Sequence, residues 1–243
     1  MTSLPQSPAA RRLLKMAGQS LEHLRKRIIS CRACPRLVAW REKVAREKRA
    51  AFLGEDYWGQ PVPGFGDPAA RLVVVGLAPA AHGGNRTGRV FTGDRSGDWL
   101  YAALHRAGYA NQPTSVHRGD GLHLTDCYVA ACVRCAPPGN KPTPQERDAC
   151  LRFLADELHL LPRAQAILCL GSFAWDGTLR ALRALGHVPQ RRPAFGHGTQ
   201  TVVGPFVLVG SYHPSQRNTF TGRLTEEMID VVLNQAKDVS CSS

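Results

Sequence analysis

No apolar run in this sequence is long enough to cross a bilayer. The longest, such as Leu72 to Val75, have strand length, and the first twenty residues hold no continuous apolar core of the kind a secretory signal needs. A cytoplasmic protein without a membrane partner is expected. Acid is also scarce: nineteen Asp and Glu stand against thirty-one Lys and Arg, a formal net charge of +12. So strong an excess favours a polyanion, and nucleic acid is the leading partner. Internal repeats and low-complexity tracts are absent too, and 43% hydrophobic with 21% charged residues is globular composition.

Two nucleotide-binding fingerprints are missing as well. The stretch Gly76-Leu-Ala-Pro-Ala-Ala-His-Gly-Gly-Asn-Arg-Thr-Gly-Arg-Val-Phe-Thr-Gly-Asp-Arg-Ser-Gly-Asp98 is rich in glycine, so its backbone N–H groups can approach a phosphate or a base closely. Yet no Gly-Lys-Ser/Thr follows it, and its glycine spacing does not fit a dinucleotide site.

What is present is alternation. Four short β-branched runs, Arg71 to Leu77, Leu124 to Val133, Ala164 to Leu170 and Pro205 to Ser211, read as buried strands. Helical spacing fills Asp98 to Ala107, Pro144 to Leu161, Phe173 to Leu185 and Glu226 to Lys237. Thr143, Pro144 and Glu146 form the start signal of the second helix, which puts Cys150 about two turns in. Strands alternating with helices predict an α/β fold with a parallel sheet, whose ligands bind beyond the carboxyl ends of the strands. A single domain over residues 1–243 is expected, with a helical extension in 1–30 (a helix from about Pro8 to Ile29), a Gly/Pro-rich connection over 45–70 and a frayed tail at 239–243.

Cysteine is plentiful, at eight. In a cytoplasmic chain paired spacings indicate metal or redox sites rather than structural disulfides. Cys31/Cys34 and Cys132/Cys135 would make a four-thiolate zinc site by spacing alone. Cys132, however, falls within an apolar strand. The alternative set is Cys31, Cys34, Cys135 and Cys150, four thiolates that suit a [4Fe-4S] cluster; spacing does not choose between iron and zinc. Cys127 and Cys169 read as small buried hydrophobes.

Five segments, taken in order, are more specific: Cys31-x-x-Cys-Pro-Arg-Leu37, Gly76 to Gly83, Thr87 to Asp98, Cys135-Ala-Pro-Pro-Gly-Asn140 and Ser211-Tyr-His-Pro-Ser215. Over about residues 25 to 235 the chain resembles the iron–sulfur uracil-DNA glycosylases of family 5, or type b. The resemblance implies a three-layer α/β/α sandwich around a four-stranded parallel sheet, a [4Fe-4S] cluster on Cys31, Cys34, Cys135 and Cys150, and base excision from DNA by a monomer.

It also implies roles. Phe91 matches the aromatic that stacks on a flipped base, and His213 the histidine that stabilises the departing base; the turn from Gln216 to Arg223 would enter the DNA. Gly76, Ala78, Ala81, His82, Asn140 and Ser215 fall on the family's substrate-binding segments. Hydrolysis of the glycosidic bond needs a donor for the base and a carboxylate for the sugar or water. Leu77 to Ala81 is apolar where most relatives carry an acid or amide. The resemblance implies a catalytic aspartate in Gly93-Asp-Arg-Ser-Gly-Asp98 instead, with Asp98 the expected carboxylate, Asp94 its competitor and helix capping the alternative role for Asp98.

Ala131 stands where type a relatives carry a base-reading Asn, which predicts a permissive pocket that accepts hypoxanthine or mispaired thymine besides uracil. No lysine lies in these motifs to form a Schiff base, so hydrolysis without strand cleavage is expected. Two other readings use the same residues: a metal-stapled nucleic-acid-binding protein without catalysis, and an iron–sulfur electron carrier.

Overall fold

The computed structural model describes residues 20–241, so the expected helix start at Pro8 and the end of the frayed tail lie outside the described residues. A six-stranded sheet forms the middle layer, in the order β1-β3-β2-β4-β6-β5. Its central four strands, β2 (Leu72–Gly76), β3 (Cys127–Ala131), β4 (Ala166–Leu170) and β6 (Phe206–Ser211), run parallel. These are the four strands read from the sequence. Antiparallel edge strands β1 (Phe65–Gly66) and β5 (Gln200–Val203) extend the expected four to six.

β2, β3 and β4 are buried at every position. Along β2 the side chains divide by pleat: Leu72 and Val74 join one core, Val73 and Val75 the other. The first core lies under α4 (Arg95–Arg106) and α8 (Glu226–Cys241), the second under α5 (Pro144–Leu160) and α6 (Ser172–Ala184). Each buried Val or Leu contributes roughly 1.5–3 kcal/mol, so the two cores fix the sheet's register.

The β3 strand is shorter than its apolar run because Asp126 takes a left-handed backbone, φ 58°, just before it. Asp126 is held there by Arg71, whose backbone N–H and Nε donate to its carboxylate at 2.9 and 2.8 Å. Residues 20–29 form helix α1, whose Leu24 and Ile28 pack on Cys150 and Phe153 of α5. α2 (Pro35–Glu47), absent from the sequence reading, precedes the expected connection and runs into its first residues. Pro35 sits at its first turn, and Leu37, Val38, Arg41 and Val44 line its buried face at helical spacing.

From β2 the chain crosses through the short helix α3 (Gly84–Thr87) and α4 to β3 on one side of β2, then returns through α5 to β4 on the other. In sheets with such a reversal the ligand crevice lies at the carboxyl ends of the strands on either side of it, here β2 and β4.

Candidate functional site

Gly76 ends β2 at this crevice, and its missing side chain is what admits Phe91. A Cβ on Gly76 would lie 2.5 Å from Phe91 Cζ. Phe91 itself holds a left-handed backbone, φ 50°, uncommon for a bulky residue. From the other side His213 follows β6 and brings its ring to 5.9 Å from the Phe91 ring, centroid to centroid. The His213 carbonyl accepts hydrogen bonds from Ser215 N and Asn218 Nδ2, both at 2.8 Å, which fixes the turn. Burial lowers the imidazole to about 4, so the ring is neutral at pH 7.

The two aspartates differ in placement. α4 starts at Arg95, three residues earlier than the spacing indicated, and its N-cap is Asp94, not Asp98. Asp94 Oδ1 accepts from Gly97 N at 3.1 Å. Its Oδ2 lies so close to Gly83 that any side chain there would collide with it, which joins the loop after β2 to the start of α4. Asp98 occupies the first turn of α4 and is exposed. Burial raises both carboxyls above the ordinary aspartate value, and Asp94 accepts backbone hydrogen bonds that oppose the rise.

The remaining expected site residues spread around this centre. His82 Nδ1 pairs with Tyr57 Oη at 3.0 Å, and burial with nearby Arg49 and Arg86 lowers its ring below the usual histidine value. Ala81 is partly buried beside it, whereas Ala78 packs toward Leu37, Val133 and Cys135. Ser215 caps α7 (Gln216–Phe220), accepting from Asn218 N at 3.4 Å. Asn140 is exposed and left-handed, φ 56°, in the turn after Pro137 and Pro138. Ala131 ends β3 in register with Gly76 and is buried.

Cys31, Cys34, Cys135 and Cys150 line one small apolar cavity, with Leu37, Val38, Pro61 and Phe153 among its walls. They reach it from the end of α1, the start of α2, the turn after β3 and the second turn of α5. Cys132 does not join them: it is buried against Gly177 of α6, where a Cβ would collide with its sulfur. Cys132, one residue beyond β3, continues its pleat toward α6, whereas Cys135 lies in the turn that follows, so the naive pairing does not form.

Donors reach two of the four thiols closely. Arg41, 2% exposed, donates from Nη1 to Cys135 Sγ at 3.0 Å, and Arg134 N donates to Cys150 Sγ at 3.3 Å. Burial pushes Cys135 up to about 11 and Cys150 up to about 12, so both are neutral thiols at pH 7, and a metal bound there would have to displace their protons. Among the described residues, no three His, Cys, Asp or Glu side chains close on a point fit for a single metal ion. Four thiols spaced around a cavity, with N–H donors aimed at sulfur, fit a multi-atom cluster. Arg41 was legible only as one of many N-terminal cations; its place on the apolar face of α2 was the overlooked signal.

Comparison with known proteins follows the same residues. The sequence model of the Uracil DNA glycosylase superfamily matches residues 63–237. The chain is 56% identical over 212 residues to the type-5 uracil-DNA glycosylase of Mycobacterium tuberculosis, covering 86% of this chain and 78% of that protein. It is 54% identical to the type-5 uracil-DNA glycosylase of Thermus thermophilus, over 86% of this chain and 94% of that protein. A type-4 uracil-DNA glycosylase of Thermotoga maritima is 33% identical over 46% of this chain and 51% of its own length.

Proposed function

The chain belongs to the uracil-DNA glycosylase superfamily, in its type-5 branch, and from that premise we propose that it hydrolyses the glycosidic bond of uracil and other deaminated or mispaired bases in DNA, leaving an abasic site. The observation that carries this reading is the meeting of Phe91 and a neutral His213 at the carboxyl end of the sheet.

A base in a duplex must be flipped out before its glycosidic bond can be reached. The Phe91 ring offers it a stacking face. As the bond breaks, negative charge grows on the base and positive charge on the sugar. A neutral imidazole still carries one ring N–H, which it donates to the base where the negative charge grows. Asp94 is the better placed carboxylate for the sugar or the water, because it is tied to the loop after β2, whereas Asp98 is exposed.

Buried Ala131, paired with Gly76, offers no side-chain amide that a wrong base would leave unpaired, which supports a broad substrate range. The exposed helix α7, with Phe220 68% exposed, is the element that would enter the duplex. Cys31, Cys34, Cys135 and Cys150 would hold a [4Fe-4S] cluster, which when bound would tie α1 and α2 to the turn after β3 and to α5. Its readouts are visible absorption and iron and sulfide content of the purified protein. We further propose a monomeric, cytoplasmic protein, since the site is assembled within one chain.

The test uses labelled duplexes holding U·G, T·G or hypoxanthine·T, with alkaline cleavage of abasic sites. Excision of all three by the protein, abolished in a folded His213→Ala variant, is expected. Uracil excision alone would defeat the open pocket at Ala131. No excision of any base by metal-loaded protein would turn the reading to DNA binding without catalysis.

A further inference from the structure

Phe91 is held by a buried polar network whose hub is Arg89. Arg89 is 2% exposed, and its guanidinium donates to Thr92 Oγ1 at 2.9 Å, to Ser115 Oγ at 2.8 Å and to Asp120 Oδ2 at 2.7 Å. Thr92 and Ser115 share a further hydroxyl hydrogen bond at 2.7 Å, and both are buried. Asp120 also accepts backbone N–H bonds from Val116 at 2.8 Å and Leu122 at 3.1 Å, so the ion pair is satisfied on both sides.

These bonds converge on the peptide groups that flank Phe91. Before it, the Val90 carbonyl accepts from Tyr101 Oη at 3.0 Å and from Thr92 Oγ1 at 3.1 Å. After it, Gly93 N donates to the Ser115 carbonyl at 2.9 Å, and the Gly93 carbonyl accepts from Arg86 Nη2 at 3.0 Å. On the far side, Gly97 of α4 lies so close to the Phe91 carbonyl that no side chain could stand there. A phenylalanine at φ 50° persists only where its surroundings over-determine it. Ser115 and Asp120 come from the connection between α4 and β3, which has no other part in the site described above.

We propose that Arg89, with Ser115 and Asp120, is a positioning residue of this enzyme: it locks Phe91 in its left-handed conformation as a stacking face, and the α4–β3 connection serves the site through it. The inference rests on the reading of Phe91 as the platform for the flipped base. A buried Arg–Asp pair can also be purely structural, and loss of stability alone does not separate the two.

A double-mutant cycle does separate them. Ser115→Ala removes one arm of the network mildly, and Arg89→Lys keeps the charge but loses the fork to Thr92 and Ser115. Each is measured alone and combined with Phe91→Ala, by single-turnover excision from a U·G duplex at saturating and at limiting protein, with thermal unfolding in parallel. In the parent background each variant should lower the limiting rate constant about tenfold, whereas with Phe91→Ala already present the further loss should stay under about twofold. The melting shifts should be equal in both backgrounds.

Equal losses of rate in both backgrounds, or no loss in either, would overturn the proposal. Ser115→Ala keeps the cycle decisive where Arg89→Lys does not fold. Failure of the parent protein itself to excise uracil would instead reject the functional reading, and the positioning role with it.

Discussion

The role proposed for His213 requires a histidine that stays neutral, and burial supplies it. An ordinary imidazole protonates near 6.5, whereas His213 is brought down to about 4. Single-turnover excision should therefore be level between pH 6 and 8 and decline only as pH falls toward about 4. A step near 6.5, where an ordinary imidazole titrates, would contradict this. The stability sign follows: between 6.5 and about 4 the unfolded chain takes up a proton that folded His213 refuses, so this residue's contribution to stability falls as pH falls through that window.

The aspartates give a second residue-scale expectation. Asp94→Asn should lower the excision rate at least tenfold while keeping the cap, since Asn also caps helices. Asp98→Asn should change it less than about twofold, as expected of an exposed helix-surface residue. The reverse ranking would restore Asp98 as the reacting carboxylate. Asp98 is the carboxylate that the family resemblance implies, but the extended backbone of Asp94, φ −143° and ψ 162°, starts the helix three residues earlier.

At the scale of elements, local signals were accurate where the chain makes its own decision. The capping box of α5 was legible from Thr143, Pro144 and Glu146, and both of its hydrogen bonds form: Thr143 Oγ1 accepts from Glu146 N at 3.2 Å, and Glu146 Oε2 accepts from Thr143 N at 2.8 Å. Thr143→Ala should cost about 1 kcal/mol in denaturant unfolding, and because Cys150 rides on the same helix, the variant should also lose bound metal faster to a chelator. Unchanged stability would mean that packing alone sets the start of α5.

β1 and β5 escaped notice for the opposite reason. One is two residues long and the other alternates exposed and buried without a strong apolar run, so only pairing with β3 and β6 makes them strands. α2 was masked by its many charged residues, although its apolar face has helical spacing.

For the molecule as a whole, the +12 charge should appear as salt dependence. Each phosphate neutralised adds about −0.9 to the slope of log affinity against log salt, so binding to an undamaged duplex should show a slope steeper than about −2. A flatter line would leave the charge as a matter of solubility. The four-cysteine cavity is a global feature as well, because it joins α1, α2, the turn after β3 and α5. Cys150→Ser should lower the melting temperature and the iron content together, and no change in either would count against the staple.

The sequence by itself determined the parallel sheet, the helices that cover it, the cap of α5 and the candidate motifs, because hydrophobic period and capping are short-range properties of a chain. Tertiary structure alone decided that Cys135 and Cys150 face one cavity with Cys31 and Cys34 while Cys132 turns toward α6. It also decided that Asp94 rather than Asp98 meets the loop after β2, and that the α4–β3 connection braces Phe91 through Arg89. Those outcomes depend on which face of a pleat a side chain takes and on which distant segments the fold brings within hydrogen-bond reach, and neither is written in local spacing.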